Sequence, residues 1–589
     1  MRLWTGILGG RFRGGNQYGP GCCNQEGRDC RDPSNFNFMN TPGTMRTPLE
    51  EQHFQVIVIG GGINGVAIAR ECARAGRRTL LVEQQDFASG TTSRSTRIIH
   101  GGLRYLEHGE LGLVRESLRE RKRLLRQYPH LVNPLQFLLA LDHNSQRSAL
   151  SIRTGLWLYR RMGGKSLAAA TGVDQGKLER VLDSGRRWSV FNFEDAQCEF
   201  PERLVAEWLV EAVGAGAVVR NHMQVLAVDV RHGRAQGVLL RDQLSKKEIS
   251  VHGTWIINAT GPWADRVCQR SRIDTKNPMV GGVRGSHLVL ARFVGAPDAA
   301  VYAEASDGRP IFVIPWNEQV LVGTTEAADN GDPAKAQPSP EEIQYLLHSL
   351  LSIFPRAKIS RADIRYTFAG VRPLPFSPNQ NASAVSRKHY LHDHAADGAA
   401  QMISVIGGKL TTAAQLASEC VAKIGGLVKS ASASAPASAG LVSEDHLDPL
   451  LDKWVLDIAQ AGSISEESAR GIVEWHGKRA LNIARMALSS AELRAPLCPH
   501  SLHIVAEVVD AFSNECAVTL GDALLRRVPV ALGPCWSQAC SREAAGRIRA
   551  VMGWNDGQAA AELDAFETER EAFLRKPPRM EAALLAAAD

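Results

Sequence analysis

The run QVIVIGGGINGVAIARECARAG followed by RRTLLVEQ constrains the fold more than any other part of the chain. An apolar strand, Val56 to Ile59, runs into Gly60, Gly62 and Gly65 at GxGxxG spacing, then into a helix, then into a second strand that ends in Glu83. Gly60 permits a tight turn. Gly62 lets the backbone approach a pyrophosphate at the helix N-terminus, where Ile63 and Asn64 begin the first turn, and Gly65 lets the helix pack closely on the strand. Glu83, 18 residues past Gly65, is placed to accept ribose hydroxyls, and an acid there disfavours a 2′-phosphate. The unit is a complete βαβ for binding a dinucleotide.

FAD and NAD share this fingerprint, so the choice between them rests on later segments. SGTTSRSTRIIHGGLRYLEHG follows the second strand closely. It offers hydroxyl residues (Thr92 and Ser93) and then His100, Gly101, Gly102 and Leu103 to line an extended cofactor. TWIINATGPWAD sets a strand before Ala259, Thr260 and Gly261. Far downstream, MISVIGGKLTTAAQLASECVAKI is a strand, a Gly-Gly turn and a helix, which brings Gly408, Leu410 and Thr411 back to the cofactor. A plain nicotinamide-binding domain does not require that late return, so the cofactor read here is FAD.

From Phe54 to about Gly426, β-branched runs alternate with helical stretches, the α/β pattern. Residues 1–50 are rich in Gly, Asn, Arg and Pro and read as a disordered extension, with Met45 a candidate start. Residues 427–445 are an Ala/Ser-rich linker, and from 446 to 575 apolar residues recur at three-to-four spacing, so a separate helical domain is expected there. The chain has 589 residues, too many for one hydrophobic core. A net charge of +6 favours anionic ligands but is too weak for a nucleic-acid binder. Eleven cysteines without a CxxC pair fit reduced thiols and a cytoplasmic protein. Cys22, Cys23 and Cys30 lack the spacing and histidines of a zinc site, so no metal is expected. No apolar run reaches the ~20 residues that cross a bilayer, which leaves only peripheral membrane association.

Taken together, VIGGGINGVAIA, IIHGGLRYLEHGELGLVRESLRER, NATGPWAD, RGSHLVL, IFVIPWNEQVLVGTTE, YTFAGVRPL and VIGGKLTT, in this order and spacing, resemble the FAD-dependent glycerol-3-phosphate dehydrogenases. The helical tail with AVTLGDALLRR is similar to the C-terminal domain of that family. The resemblance runs from about Gln55 to Arg575. It implies a Rossmann-like FAD-binding domain interleaved with a β-rich substrate cap across residues 51–426. The cap is expected to draw largely on the stretches from Leu106 to Thr254 and from Gly281 to Phe368. It further implies oxidation of sn-glycerol 3-phosphate to dihydroxyacetone phosphate by hydride transfer from C2 to flavin N5. Electrons then pass to a membrane quinone, or to oxygen if the chain acts as an oxidase. A flavoprotein without chemistry is a third reading, and the oligomeric state stays open, a homodimer included.

A phosphate dianion needs convergent cations, and arginine supplies forked donors. Arg104 in HGGLRY and Arg372 in GVRPL stand at the motif positions for that role. Lys409, at the Gly-Gly turn, would stabilise reduced flavin and alkoxide character at C2. The hydroxyl proton needs a base. His287 in RGSHLVL is the first choice and His100 the second. Arg97 stands where many relatives have lysine, and where relatives often carry an aspartate-rich cap segment this chain reads NFEDAQCEFPERLV, with Glu199, Pro201 and Glu202 interrupting it. LVRESLRERKRLLRQY and RTGLWLYRRMGGK combine arginines with leucine and aromatics, as a helix lying on the inner face of the cell membrane would.

Overall fold

The computed structural model describes residues 48–576 apart from 107, 108, 144, 146, 164–174, 379–384, 386 and 426–446. At 104, 175, 177 and 447–451 it describes the backbone alone. The linker and nearly all of the N-terminal extension therefore lie outside the described residues, and so does the side chain of Arg104.

Two sheets organise the chain. In the first, of eight strands, His53–Ile59 pairs in parallel with Thr79–Val82 on one side and Glu248–Asn258 on the other. Val218–Arg220 and Met402–Ile406 extend the parallel run outward. Val56, Ile57, Val58, Leu80, Leu81 and Val82 are completely buried. Such unbroken apolar runs are what a strand covered on both faces requires. Helices Ile63–Arg74, Pro201–Gly214 and Ala413–Lys423 share one apolar core on one face. The hairpin Met223–Arg231 with Arg234–Asp242 and the helix Ala264–Arg270 cover the other.

The second sheet has nine strands and forms the cap. Val280–Ala291 and Ile364–Pro375 run antiparallel, pairing His287 with Phe368 and Val283 with Arg372. Gln319–Gly323 flanks the first of these and sets Gly323 opposite His287. Among the described residues of the stretch from Leu106 to Thr254 expected in the cap, only Val132–Asp142 and Trp188–Cys198 join this sheet as strands. From Pro201 the chain returns to the first sheet and stays there through Asn258. Conversely, the cap continues past Phe368 to Pro375. The expected bounds came from the resemblance, and sequence alone does not say which of the two sheets a strand such as Met223–Arg231 joins.

After residue 446 the chain is helical, with Leu447–Gly462, Glu466–His476, Ala480–Leu488, Val505–Asn514, Gln538–Met552 and Asp556–Phe573 as its main helices. Their apolar faces merge with the cap core. Phe200 meets Trp475 edge-on at 5.2 Å, and Phe368 meets Phe573 at 6.0 Å.

Candidate active site

The carboxyl ends of the parallel strands open onto one cavity of about 980 Å³, the location that open α/β sheets reserve for ligands. Gly60 follows the first strand, Glu83 the second, Ala259 to Gly261 the third, and Gly407 to Lys409 the late return. All of these line the cavity. The cap closes it with His287, Thr324 and Arg372.

At one end stands the glycine turn. Gly60 adopts φ +103°, and a Cβ there would sit 2.7 Å from Ala259 O. A Cβ on Gly65 would lie 1.8 Å from Gly60 O, so this residue fixes how closely helix meets strand. Gly62 caps the helix Ile63–Arg74, and a Cβ there would meet only Thr92 Oγ1, at 3.4 Å, which leaves that space to a ligand. Ile63 N–H donates to Thr92 Oγ1 at 3.0 Å. The Glu83 carboxylate accepts Gly61 N–H at 2.6 Å and Gln85 N–H at 2.9 Å, and burial pushes its pKa above the ordinary value. Asn64 Oδ1 is buried beside the turn with no hydrogen-bond partner among the described residues. The glycine cradle, the helix terminus, the terminal acid and the orphaned amide oxygen fit the dinucleotide half of FAD.

The other end carries the ionisable groups. His287 is buried, stacked on Phe368 with ring centroids 4.9 Å apart, and shares a 3.0 Å hydrogen bond between Nε2 and Thr96 Oγ1. Burial first, then Arg372 and Arg97, lower its pKa to about 3, so the ring is neutral at physiological pH. Glycines make room here. A Cβ on Gly323 would fall 2.3 Å from His287 Cδ2, and one on Gly285 would fall 2.4 Å from Arg372 Nη2. Arg372 donates to Thr324 Oγ1 at 2.9 Å. Lys409 Nζ lies 4.1 Å over the Tyr105 ring and 3.3 Å from Ser117 Oγ. Burial lowers its pKa to about 8, against the raising influence of Glu116 and Glu110. His100, whose N–H donates to Thr411 Oγ1 at 3.2 Å, is lowered to about 4 by burial and by Lys409 and Arg387.

Of the residues expected from sequence, Gly60, Gly62, Ile63, Asn64, Glu83, Thr92, His100, Gly102, Leu103, Gly261, His287, Arg372, Gly408, Lys409, Leu410 and Thr411 line this one cavity. Gly65, Ser93 and Gly101 stand behind its wall. Ser93 Oγ donates to Ala88 O at 2.7 Å, and a Cβ on Gly101 would strike the Tyr159 hydroxyl at 2.3 Å. These three shape the loops that carry neighbouring residues to the cavity. Arg97 also lines the cavity, but its guanidinium is committed within the protein. Its guanidinium forks onto the Glu202 carboxylate at 2.9 and 2.9 Å and lies over the Trp316 ring. Glu202, which interrupts the expected cap pattern, is the partner that Arg97 requires.

Several cavity residues escaped the sequence reading. Thr96 lies within the hydroxyl-rich run but was not distinguished from its neighbours. Thr324 lies in IFVIPWNEQVLVGTTE but was given no role, and Arg387, paired to Glu326 at 2.9 Å, lies outside all of the motifs. His222 reaches the cavity near Glu83, where its backbone N–H donates to Gln85 O at 2.7 Å, and the C-terminal domain holds its ring, with Nε2 3.0 Å from Asp522 Oδ2. No local pattern encodes that contact.

Comparison with known proteins places the chain beside two family models. One described as FAD dependent oxidoreductase matches residues 55–414, and one described as the C-terminal domain of alpha-glycerophosphate oxidase matches residues 403–559. A glycerol-3-phosphate dehydrogenase of Synechocystis sp. is 36% identical over 498 residues, covering 82% of this chain and 90% of that protein. An aerobic glycerol-3-phosphate dehydrogenase of Staphylococcus saprophyticus is 30% identical over 504 residues, covering 82% and 88%. Among solved structures, the glycerol-3-phosphate dehydrogenase from Bacillus halodurans complexed with FAD superposes with a TM-score of 0.69 at 22% identity. It covers 90% of this chain and 97% of that one, and shares its fold.

Proposed function

The chain belongs to the glycerol-3-phosphate dehydrogenase family of FAD-dependent oxidoreductases, and on that premise we propose that it oxidises sn-glycerol 3-phosphate to dihydroxyacetone phosphate and passes the electrons to a membrane quinone. One observation carries the reading: the strand ends of a dinucleotide site share a single cavity with Arg372, His287 and Lys409. FAD, when bound, supplies a two-electron oxidant whose N5 accepts hydride from C2.

The residues of the chain do the rest. Arg372, on a cap strand and braced by Thr324, holds the phosphate dianion, with Arg104 of the HGGLRY turn assigned the same task from its motif. His287 takes the C2 hydroxyl proton on the ring nitrogen that Thr96 does not engage: Nε2 bonds Thr96 Oγ1 and holds the ring in place, while Nδ1 has no hydrogen-bond partner among the described residues. A phosphate dianion beside Arg372 offsets the cationic field on His287, which raises its basicity when substrate is bound. Lys409 holds positive charge where anionic character develops.

Access to a quinone requires a face that meets the bilayer. The helix Ala149–Gly163 presents Leu150 (74% exposed) and Trp157 (66% exposed) to solvent, with the exposed Arg153 and Arg161 on the same side. The other basic stretch, Leu111–Gln127, buries Leu113, Val114, Leu118, Leu124 and Leu125 in the core, which leaves the later helix as the interfacial element. Among the described residues no helix is long and apolar enough to cross a membrane.

The test is anaerobic titration of the flavin-loaded enzyme. Glycerol 3-phosphate should bleach the flavin absorbance, and a soluble quinone should restore it faster than oxygen does. Bleaching by other hydroxy or amino acids but not by glycerol 3-phosphate would overturn the substrate, and faster recovery with oxygen would overturn the acceptor.

A further inference from the structure

Outside the cavity, the segment YLHDHAAD gathers three metal-ligating groups at the edge of the first sheet. His392 lies on the edge strand Tyr390–Asp393 and His394 directly follows it, so the two share one face at i,i+2 spacing. Asp393, between them, turns the other way, toward Lys423 Nζ at 3.8 Å. The chain then bends, and Asp397 returns under both rings. Its Oδ2 lies 2.7 Å from His392 Nε2 and 2.9 Å from His394 Nδ1. The three ligand atoms lie within 4.8 Å of one another. The His394 side chain is 0% exposed and that of Asp397 10%, whereas His392 is 31% exposed. The group is closed behind and open at one ligand.

We propose that His392 Nε2, His394 Nδ1 and Asp397 Oδ2 form a binding site for one divalent ion of the zinc class, with water completing the coordination. Two imidazoles and a carboxylate suit this ion. Bonds of about 2.0–2.2 Å in a tetrahedral shell set ligand atoms about 3.4 Å apart, so the present 2.7 and 2.9 Å contacts need open by about 0.7 and about 0.5 Å. The half-exposed His392 ring supplies the movement.

The surroundings orient the buried ligand. His394 Nε2 lies 2.7 Å from Ser404 Oγ. With a metal on Nδ1, the proton sits on Nε2 and is donated to Ser404, the outer-shell bond that metal-binding histidines characteristically make. Ser404 Oγ also accepts Asn258 Nδ2 at 3.0 Å, and Asn258 Oδ1 accepts the Thr260 hydroxyl at 2.7 Å. Thr260 lines the dinucleotide cavity, so an unbroken hydrogen-bond chain joins this site to its wall. A second convergent group, His476 with Asp510 and Glu515, offers no such opportunity. Arg203 donates to Glu515 at 2.7 Å and Arg479 to Asp510 at 3.4 Å, so arginines already neutralise those carboxylates.

The decisive measurement is titration of the full-length, flavin-loaded protein with Co²⁺ and Zn²⁺ after treatment with a chelator. One equivalent should bind, with a visible cobalt spectrum lacking the near-ultraviolet charge-transfer band that thiolate ligands produce. His392→Ala and Asp397→Asn should each weaken binding at least about tenfold while flavin content is retained. His392 is half-exposed and Asp397→Asn keeps the shape, so folding and ligation can be told apart. Absence of binding, a thiolate band, or affinity unchanged in both variants would overturn the proposal.

Discussion

The guanidinium of Arg527 forks onto the carboxylate of Asp86, with both N···O distances 2.8 Å, across 441 residues of sequence. Asp86 stands just past the second strand of the dinucleotide site, and Arg527 lies in the C-terminal domain. Arg526 also contacts Asp86, and Asn221 donates to it at 3.0 Å. Side chains at this junction are essentially unexposed. The helical domain is therefore clamped to the nucleotide-binding domain by charges that cannot separate without losing their partners.

Asp86→Asn keeps the size of the side chain but leaves two buried arginines with one fewer anion. Breaking a buried pair from one side costs about 3–5 kcal/mol. Denaturant unfolding of the variant should show a loss in that range. A loss under about 1 kcal/mol, the value typical of an exposed pair, would mean the junction is hydrated.

His222 links this junction to the cavity, and its titration gives the stability a pH dependence of definite sign. Burial opposes the charged ring, but the Asp522 carboxylate outweighs it, and the pKa is raised above the ordinary value. A raised histidine contributes stability that is fully present below its unfolded pKa of about 6.5 and is lost as pH rises through the folded pKa. Thermal melts should therefore fall on going from below that unfolded value to pH above the raised one. His222→Gln should flatten that part of the profile. An unchanged slope in the variant would assign the dependence to another group.

These junction contacts mark where the sequence stops being legible. Gly60, Gly62, Gly65 and Glu83 could be read because the whole βαβ unit is local, each residue acting on neighbours within one turn or one strand. The cation set was partly legible, since Arg372 and Lys409 sit in motifs whose order along the chain carries information. Arg97 was not. In sequence it is one more charge in a cofactor loop, and only the fold brings Glu202 and Trp316 to it. His222 and Asp522 are 300 residues apart, and nothing in either neighbourhood announces the other. The extent of the cap, taken from the resemblance, missed for a related reason, because contacts distant in sequence decide which sheet a strand joins.

Arg372 provides a kinetic test of substrate binding. If it holds the phosphate, Arg372→Ala should remove one or two charged hydrogen bonds, each worth about 1.5–3 kcal/mol. The KM for glycerol 3-phosphate should then rise by about tenfold or more. Glycerol, which has no phosphate, should be oxidised equally poorly by the variant and the parent enzyme. Arg372→Lys should recover only part of the loss, because an ammonium cannot fork. A fall in kcat with KM unchanged would instead place Arg372 at the reacting carbon.

Lys409 sets the alkaline limit. Burial brings its pKa down to about 8 in the free protein, so the ammonium that balances developing negative charge is lost as pH rises through that value. The profile of kcat/KM, which reports groups of the free enzyme and the free substrate, should fall above about 8, and its acid side should show only the second ionisation of the substrate phosphate, at about 6. His287 and His100 add no limb of their own there, because pKa values of about 3 and about 4 keep both rings neutral from about pH 5 to 7. Lys409→Arg retains a charge that does not titrate in this range, so the alkaline limb should move upward by at least about one unit even if the maximal rate falls. A limb that stays near 8 in Lys409→Arg would reassign it to another group, and an acidic limb near 6.5 in excess of the ionisation of the substrate phosphate would show that one of the two histidines is hydrated in the working enzyme.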